Sequence, residues 1–217
     1  MIKAVIFDMD GLMINSEELQ ARSALVLFKQ LGVDVNPYKD KLPYVPGTRE
    51  VDNWPRFVKI YDLKQDILTL MKMRNKVYLD MLRDNLVPMK GILELINLLN
   101  EKKMRMAVAS SSTMEQIMFV VEHLKIKKYF DVIVTGHDLE KGKPFPDVFL
   151  DTAQKLDEKP ENCLVLEDSN PGVESAKAAG MKVIAIPNEH TKDHDFSKAD
   201  MVMKSADELD WQTISSL

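Results

Sequence analysis

Short apolar runs rich in β-branched residues alternate with longer helical patterns along most of this chain, and this alternation constrains its fold more than any other feature. Strands that are apolar throughout are typical of a parallel sheet covered by helices on both faces. We therefore predict an α/β fold with a three-layer, Rossmann-like parallel sheet, in which ligands bind beyond the carboxyl ends of the strands. The strand-like runs lie at residues 3–7, 104–109, 132–135, 163–166, 182–186 and 201–203. The helical patterns between them lie at residues 91–103, 113–123, 147–156 and 171–179.

One long stretch, residues 16–87, interrupts the alternation and contains no convincing strand. Its helical patterns lie at residues 17–31, 53–61 and 65–85, around a loop that holds Pro37, Pro43 and Pro46. An ordinary connection between a strand and a helix takes about 2–6 residues, so a stretch of this length indicates an inserted subdomain. We predict a core domain of residues 1–15 and 88–217 and a helical cap of residues 16–87.

Composition excludes several classes of protein. The formal net charge of −5 gives no support for binding to nucleic acid. The longest apolar runs have five residues, whereas a membrane span needs about 18–20. The run at residues 4–7 is also too short for the core of a signal peptide. Cys163 is the only cysteine, so an internal disulfide cannot form, and we expect a cytoplasmic protein.

Two carboxylates follow the first predicted strand. Asp8 and Asp10 are separated by one residue, and side chains two apart on an extended segment point to the same face. Gly11 then allows the chain to turn or to approach a ligand closely. Two carboxylates this close repel each other unless a cation or a proton lies between them. Such a pair alone also occurs on solvated loops, so its meaning depends on the other motifs.

Hydroxyl groups and a lysine follow two later strands. Residues 110–113, which read Ser-Ser-Ser-Thr, open a helix, and free amides at a helix N-terminus bind anions. Simple capping of that helix is the alternative interpretation. Lys143 lies in a loop that Gly142, Pro144 and Pro146 hold in one place. A positive charge fixed in this way stabilises a phosphoryl group during its transfer.

Two consecutive acids, Glu167 and Asp168, end the most apolar strand. Acids at this position are costly unless they serve a cation, and Mg²⁺ prefers oxygen ligands of this kind. All four clusters fall at carboxyl ends of strands, where one crevice would collect them. Together they supply a carboxylate nucleophile, a second carboxylate for proton transfer, groups that bind phosphate and an acidic metal site.

The four motifs, in this order, resemble those of the haloacid dehalogenase superfamily. They read Asp8-x-Asp10-Gly11, Ser110, Lys143-Pro144-x-Pro146-Asp147 and Glu167-Asp168-Ser169-x-x-Gly172. A helical insertion directly after the first motif resembles the β-phosphoglucomutase-like branch of that superfamily. The resemblance covers essentially the whole chain and is weakest in the cap.

The resemblance implies a role for each motif. Asp8 would attack the phosphorus to form an aspartyl-phosphate, and Asp10 would act as general acid and then as general base. Gly11, Ser110, Ser111 and Lys143 would hold the substrate and its phosphoryl oxygens. Mg²⁺ would be bound by Asp8, the backbone carbonyl of Asp10, Asp168 and Glu167, the last directly or through water.

The cap distinguishes the mutase from the phosphatases of this branch. Arg49 falls where the mutase has an arginine that binds a second phosphate, which favours a mutase or a bulky anionic substrate. Gln20, Thr113 and Met114 stand where the mutase has a histidine, a lysine and an asparagine, which disfavours a bisphosphate intermediate. Asn15 replaces an acid that is usual in this branch, with no effect that we can predict. The resemblance therefore implies a phosphatase for a small phosphate monoester such as a sugar phosphate, with the mutase as the alternative.

Two further classes fit the sequence less well. A receiver module that merely accepts a phosphoryl group carries its aspartate on a middle strand and has no long helical insertion. A metal-free dehalogenase would leave Asp10, Glu167 and Asp168 without a task. We expect a small phosphorylated metabolite as the partner, no contact with nucleic acid or membrane, and a monomer, with a dimer as the alternative.

Overall fold

A computed structural model of the chain describes residues 1–33, Val35 and residues 47–217, so the predicted loop at Pro37, Pro43 and Pro46 lies outside the described residues. The six strands are β1 (Ala4–Phe7), β2 (Arg105–Ser110), β3 (Val132–Thr135), β4 (Cys163–Glu167), β5 (Lys182–Ala185) and β6 (Met201–Val202). All pair in parallel in one sheet, in the order β3-β2-β1-β4-β5-β6. This arrangement confirms the predicted α/β fold.

The sheet order puts β1 at the centre, between β2 and β4. Phe7 is aligned with Val108 of β2 and with Leu166 of β4, so the three strands end at nearly the same level. Parallel strands point the same way, and the residues that follow them therefore meet at one edge of the sheet.

Helices cover both faces of the sheet. They are α4 (Ile92–Glu101), α5 (Met114–His123), α6 (Asp147–Lys155), α7 (Asn170–Ala178) and α8 (Trp211–Ser215). Val5 and Phe7 of β1 pack into a core with α4 and α5, whereas Ala4 and Ile6 pack with α6 and α7. All four side chains are fully buried, which explains why this strand is apolar at every position.

Three helices lie between β1 and α4: α1 (Glu17–Gln30), α2 (Glu50–Tyr61) and α3 (Ile67–Asn85). They enclose a small aromatic core in which the Trp54 and Phe57 rings lie 6.2 and 5.6 Å from that of Phe28. Helix α2 begins three residues earlier than predicted, because Glu50 and Asp52 lie in its first turn, where their negative charges interact favourably with the helix dipole. Among the described residues, no helix combines the length and apolar character needed to cross a membrane.

The chain enters and leaves this helical insertion at adjacent positions. The Asn15 amide donates to the Val87 carbonyl at 3.0 Å, which joins the residue before the predicted start of the cap to the predicted last residue of the cap. At the far end of α3, however, Tyr78 and Leu82 pack into the main core beneath the sheet. The limits at residues 16 and 87 therefore stay a prediction, since the insertion and the core share buried side chains.

Candidate active site

The predicted catalytic residues converge at the carboxyl edge of the central strands. Asp8 follows β1, Ser110 ends β2 and Glu167 ends β4, and Lys143 contacts Asp8 and Glu167 from the loop between β3 and α6. A pocket of about 740 Å³, measured with its open mouth, lies between this edge and the helical insertion. From the insertion the pocket is lined by Gln20, Thr48, Glu50, Asn53, Trp54 and Arg74 among others.

Lys143 forms two buried ion pairs. Its Nζ lies 2.6 Å from Asp8 Oδ1 and 2.6 Å from Glu167 Oε1, and its side chain is 1% exposed. Burial alone would lower the pKa of this lysine, but the two carboxylates outweigh burial and hold its pKa above the ordinary range. The ammonium is therefore a fixed positive charge beside Asp8.

Asp8, Glu167 and Asp168 form a cluster of buried carboxylates. One oxygen from each lies within 4.8 Å of the other two. Burial raises the pKa of Asp8 and Asp168 well above their usual range, and the charge of Glu167 raises both further against the opposing effect of Lys143. When all three carboxylates are ionised, the Lys143 ammonium compensates one negative charge and leaves two, which equals the charge of one divalent cation. Oxygen ligands with this charge fit Mg²⁺.

Two glycines let the backbone approach these carboxylates closely. A Cβ at Gly172 would overlap the Glu167 carboxylate, and a Cβ at Gly11 would overlap Asp168 Oδ2. Gly11 also has a φ of +81°, in the left-handed region that favours glycine. Its carbonyl accepts from Asn188 Nδ2 at 3.1 Å, and the same nitrogen lies 2.8 Å from Asp168. Gly11 thus shapes the acidic cluster, and its contact with substrate stays a prediction.

Asp10 is surrounded by hydrogen-bond donors. Its Oδ1 accepts from Ser16 Oγ at 2.7 Å and from Gln20 Nε2 at 3.1 Å, with the Tyr78 hydroxyl at 3.3 Å. Its Oδ2 accepts from Ser112 Oγ at 2.6 Å. Donors on both oxygens hold the plane of this carboxylate at the pocket wall, and three of them come from the helical insertion.

Arg74, which sequence reasoning missed, fixes the orientation of Gln20. Its guanidinium donates to Oε1 of Gln20 and, at 3.1 Å, to the Gln20 backbone carbonyl. Because an arginine only donates, Oε1 must face Arg74 and Nε2 must face Asp10. The same guanidinium lies 3.5 Å from Glu50 and stacks 4.8 Å over the Tyr78 ring. Helix α3 therefore orients Asp10 through helix α1.

The hydroxyls after β2 lie on the floor of the pocket. Ser110 is 1% exposed and its Oγ accepts from the Ser112 amide at 3.1 Å. Ser111 Oγ donates to the Gly47 carbonyl of the insertion at 3.2 Å. Thr113 caps α5 through its side chain, so capping and pocket lining are done by different residues of this run. The contacts of Ser110 and Ser111 with phosphate stay predictions.

Arg49, the residue predicted to bind substrate from the insertion, does not line this pocket. Thr48 and Glu50, its two neighbours, do, whereas Arg49 faces an adjoining depression that is also lined by Lys141 and Lys143. Its Nε lies 2.8 Å from a carboxylate oxygen of Asp52. This arrangement gives no support to a contact between Arg49 and a second phosphate.

Glu17, another residue that sequence reasoning missed, is a buried acid beside the site. It is 6% exposed at the start of α1. Burial, followed by the charge of Asp10, raises the pKa of Glu17 to about 8, although Arg74 opposes the change. Helical spacing puts Glu17 on the same buried face as Gln20 and Ala24, and this spacing was the available signal in the sequence.

We expect Glu17→Gln to stabilise the metal-free protein at alkaline pH. The pKa of Glu17 is about 8 in the folded state against an ordinary 4.5, so the folded state binds more protons between these values. Stability from this group is therefore full below pH 4.5 and is lost as the pH rises to about 8. Glutamine cannot ionise, so the variant should gain up to about 4 kcal/mol at pH 8.

Urea unfolding at pH 5 and pH 8 in the presence of a chelator measures this difference. Glu18→Gln is the matched control, because the neighbouring Glu18 side chain is 72% exposed. A gain for Glu17→Gln that is the same at both pH values would contradict a buried, proton-binding Glu17.

Comparison with known proteins agrees with this geometry. The family described as haloacid dehalogenase-like hydrolase matches residues 5–186. Hexitol phosphatase B of Escherichia coli (strain K12) is 33% identical over 213 residues, which cover 96% of this chain and 94% of that protein. Phosphorylated carbohydrates phosphatase of Thermotoga maritima is 30% identical over 188 residues, 84% of each chain. A variant of CbbY from Rhodobacter sphaeroides, solved in complex with xylulose-1,5-bisphosphate, is 27% identical with a TM-score of 0.89 over 96% of both chains.

These similarities extend along most of the chain and include both the core and the helical insertion. The family match alone spans β1 to β5 and thus every motif at the carboxyl edge of the sheet. The chain therefore belongs to the haloacid dehalogenase-like hydrolase family and is an enzyme of its phosphoric monoester hydrolase class.

Proposed function

We propose that this chain is a Mg²⁺-dependent phosphatase that hydrolyses a small sugar or polyol phosphate monoester through an aspartyl-phosphate on Asp8. One observation carries the proposal: the Asp8 carboxylate contacts Lys143 and also belongs to the acidic cluster with Glu167 and Asp168. A nucleophile between a fixed ammonium and a site for a divalent cation is flanked by the charges that bind a phosphoryl group. The names of the two phosphatase relatives support the substrate class.

The proposed reaction has two displacements at phosphorus. First, a carboxylate oxygen of Asp8 attacks the phosphorus, the bond to the ester oxygen breaks, and its electron pair stays on that oxygen, which takes a proton from Asp10. A water molecule then attacks the same phosphorus and gives a proton to Asp10, and the bond to Asp8 breaks to release phosphate. Dividing the reaction in this way lets Asp10 act as an acid and then as a base.

The hydrogen bonds around Asp10 indicate which oxygen would carry the proton. Oδ1 faces Nε2 of Gln20, which only donates, so a proton on Oδ1 would meet another proton. Oδ2 faces the Ser112 hydroxyl, which can donate or accept. We therefore expect the proton on Oδ2, where Ser110 Oγ lies 3.5 Å away on the floor of the pocket.

Mg²⁺ fits the acidic cluster by the chemistry and the charge of its donors. The residues that would hold it are Asp8, Asp168, the backbone carbonyl of Asp10 and, directly or through water, Glu167. When bound, the ion supplies positive charge that reduces the repulsion between the phosphoryl group and the carboxylates. Lys143, the Ser110 hydroxyl and the Ser111 amide would hold the remaining phosphoryl oxygens.

The upper part of the pocket suits a leaving group that carries several hydroxyls. Trp54 offers an apolar wall, and Glu50 and Asn53 offer polar groups on the same helix. His137 also lines the pocket, and its Nδ1 is buried with no hydrogen-bond partner among the described residues. Sugars and polyols combine such hydroxyls with apolar C–H groups.

The mutase alternative shares the first displacement and differs in the second, where the phosphoryl group passes to another hydroxyl of the sugar. That path needs groups that hold a second phosphate. Arg49 is paired with Asp52, and Thr113 caps α5, so both side chains already have partners. These contacts favour hydrolysis over the mutase reaction.

We also propose that the enzyme is a cytoplasmic monomer whose partner is a small phosphorylated metabolite. Its single cysteine supports a reducing compartment. Cys163 is a free, buried thiol, and burial raises its pKa to about 11, which is typical of a packing residue and not of a reactive one.

A panel of phosphate esters, assayed with and without Mg²⁺, tests the proposed function. We expect phosphate release from hexitol and hexose phosphates with Mg²⁺ and loss of activity in a chelator. Mg²⁺ should also raise the Tm of the parent, because the ion binds only the folded cluster. Asp168→Asn should lose most of that rise, whereas Asp193→Asn, at an exposed position, should keep it.

Two results would contradict the proposal. Formation of glucose 6-phosphate from β-glucose 1-phosphate without net release of phosphate would identify a mutase. Absence of phosphate release from every ester, by a protein that still binds Mg²⁺, would exclude both reactions.

A further inference from the structure

The contacts of Arg49 join the helical insertion to the core. Arg49 directly precedes α2, and its side chain is 10% exposed. Its Nε and NH2 donate to the two carboxylate oxygens of Asp52 at 2.8 and 2.9 Å, and this bidentate pair fixes the plane of the guanidinium. Its NH1 donates to the backbone carbonyl of Leu139, in the loop between β3 and α6, at 2.5 Å. Three of its N–H groups are therefore engaged without any substrate.

The loop lies directly against Arg49 because Gly142 has no side chain. A Cβ at Gly142 would lie 2.5 Å from Arg49 Nε and 2.8 Å from its Cδ. Gly142 does not have a left-handed φ, so backbone conformation does not require a glycine there. The close approach of the Arg49 side chain is what requires a glycine at this position.

Lys143 is the next residue of this loop. Its ammonium lies 2.6 Å from both Asp8 and Glu167, so a small shift of the loop would break contacts with the proposed nucleophile. Misplacement by about 1 Å can lower an enzymatic rate about 100-fold, even when the altered residue is remote from the chemistry. Arg49 therefore contacts the segment on which the position of Lys143 depends.

The insertion is also attached to the core on another side. Asn75 of α3 donates to Glu115 of α5 and accepts from Gln116, both at 2.7 Å. Asn75 and Gln116 belong to α3 and α5, whereas Arg49 and Leu139 belong to the start of α2 and the Lys143 loop. The Arg49 contact with Leu139 is made only when α2 lies against that loop.

We propose that Arg49 is a positioning residue that latches the helical insertion onto the Lys143 loop, so that closure of the insertion and placement of the Lys143 ammonium occur together. This inference rests on the proposed phosphatase function and replaces a second-phosphate role for Arg49. The pair with Asp52 occupies the Nε–NH2 face of the guanidinium, which is an edge that would bind a phosphate with two hydrogen bonds.

Steady-state kinetics of Arg49→Met on a sugar monophosphate and on a sugar bisphosphate tests the latch. A latch acts on Lys143 and not on the leaving group, so kcat should fall about 10- to 100-fold on both substrates. The ratio of the two kcat/KM values should stay that of the parent. If Arg49 instead bound a second phosphate, KM for the bisphosphate alone would rise, and that result would overturn the proposal.

Two further variants separate the latch from a loss of charge or of fold. Gly142→Ala keeps the charge of Arg49 but pushes its side chain off the loop, so it should reproduce the loss of kcat on both substrates. Arg56→Met removes an exposed arginine of α2 beside the same depression and should leave kcat unchanged. The latch is overturned if Arg49→Met and Gly142→Ala are fully active, or if Arg56→Met loses as much activity.

Thermal unfolding of each variant is measured beside the kinetics. If Arg49→Met or Gly142→Ala melts below the assay temperature, Asp52→Asn replaces it, because this change weakens the ion pair that orients Arg49 and keeps the Arg49 side chain in place. If the parent is active and Arg49→Met changes KM for the bisphosphate alone, the latch is overturned and the proposed phosphatase function stands. A parent that is inactive on every ester overturns the proposed phosphatase function, and the latch with it.

Discussion

The Asp8→Asn variant should fold normally and release no phosphate from any ester. An amide in place of the carboxylate removes the attacking oxygen, and loss of an activated nucleophile costs about 10⁴-fold or more in kcat. The fold should persist because the change removes one of three carboxylates that repel each other, while Lys143 keeps its pair with Glu167. The metal-free variant should melt at or above the temperature of the parent, since the pKa of Asp8 is raised by burial.

Phosphate release and thermal unfolding, measured on the same preparation, check both parts of this expectation. Asp193→Asn, the same substitution at an exposed position, is the matched control and should retain full activity. Acid quenching of the parent during turnover should trap a phosphoenzyme that the Asp8→Asn variant lacks. Turnover by the variant above about 1% of the parent rate would show that Asp8 is not the nucleophile.

The sequence was sufficient to predict that these side chains meet, because the residues that follow neighbouring parallel strands lie at the same edge of the sheet. Once Ala4–Phe7 is identified as a buried parallel strand, the residue after it must lie at the carboxyl edge. The same holds for Ser110 and Glu167, which end the neighbouring strands. Periodicity and burial thus bring together residues that are up to about 160 positions apart, without any knowledge of the loops.

The residues that orient Asp10 could not be found in this way. Gln20 and Arg74 are 54 positions apart on two helices of the insertion, and no local pattern encodes how two helices pack. Arg74 also has Glu50 and the Tyr78 ring as partners, so its charge alone did not mark it as part of a site. Glu17 was missed because acids in the first turn of a helix normally serve the helix dipole at the surface.

Arg49 is a case in which the resemblance and a local sequence pattern indicate different contacts. The resemblance implied a phosphate ligand at this position. The sequence also places Asp52 three residues later, and arginine and aspartate at this spacing at the start of a helix commonly pair. The structure contains that pair, together with a contact to Leu139 that no spacing could predict.

The Asp10→Asn variant should lose activity to an extent that depends on the leaving group. Removing a general acid costs about 10²- to 10⁴-fold when the leaving oxygen needs a proton, as the alkoxide of a hexitol phosphate does. Nitrophenolate leaves without one, so with p-nitrophenyl phosphate the first displacement should remain fast. Asparagine fits the position with its carbonyl towards Ser16 and Gln20, because the Ser112 hydroxyl on the other side can accept from its amide as readily as it donates to the carboxylate.

The second displacement should be slow with both substrates, since the same residue takes the proton from the attacking water. The Asp10→Asn variant should therefore release about one equivalent of nitrophenol per active site in a burst, followed by slow turnover, and should give no burst with hexitol phosphate. Rapid-mixing absorbance measures the burst, and Ser112→Ala, which keeps the carboxylate, should turn over without one. Equal losses on the two substrates with no burst would mean that Asp10 only positions the phosphoryl group. A burst confined to the nitrophenyl ester would assign both proton transfers to Asp10, because loss of the acid slows the first step only when the leaving oxygen needs a proton, and loss of the base slows the second step with both substrates.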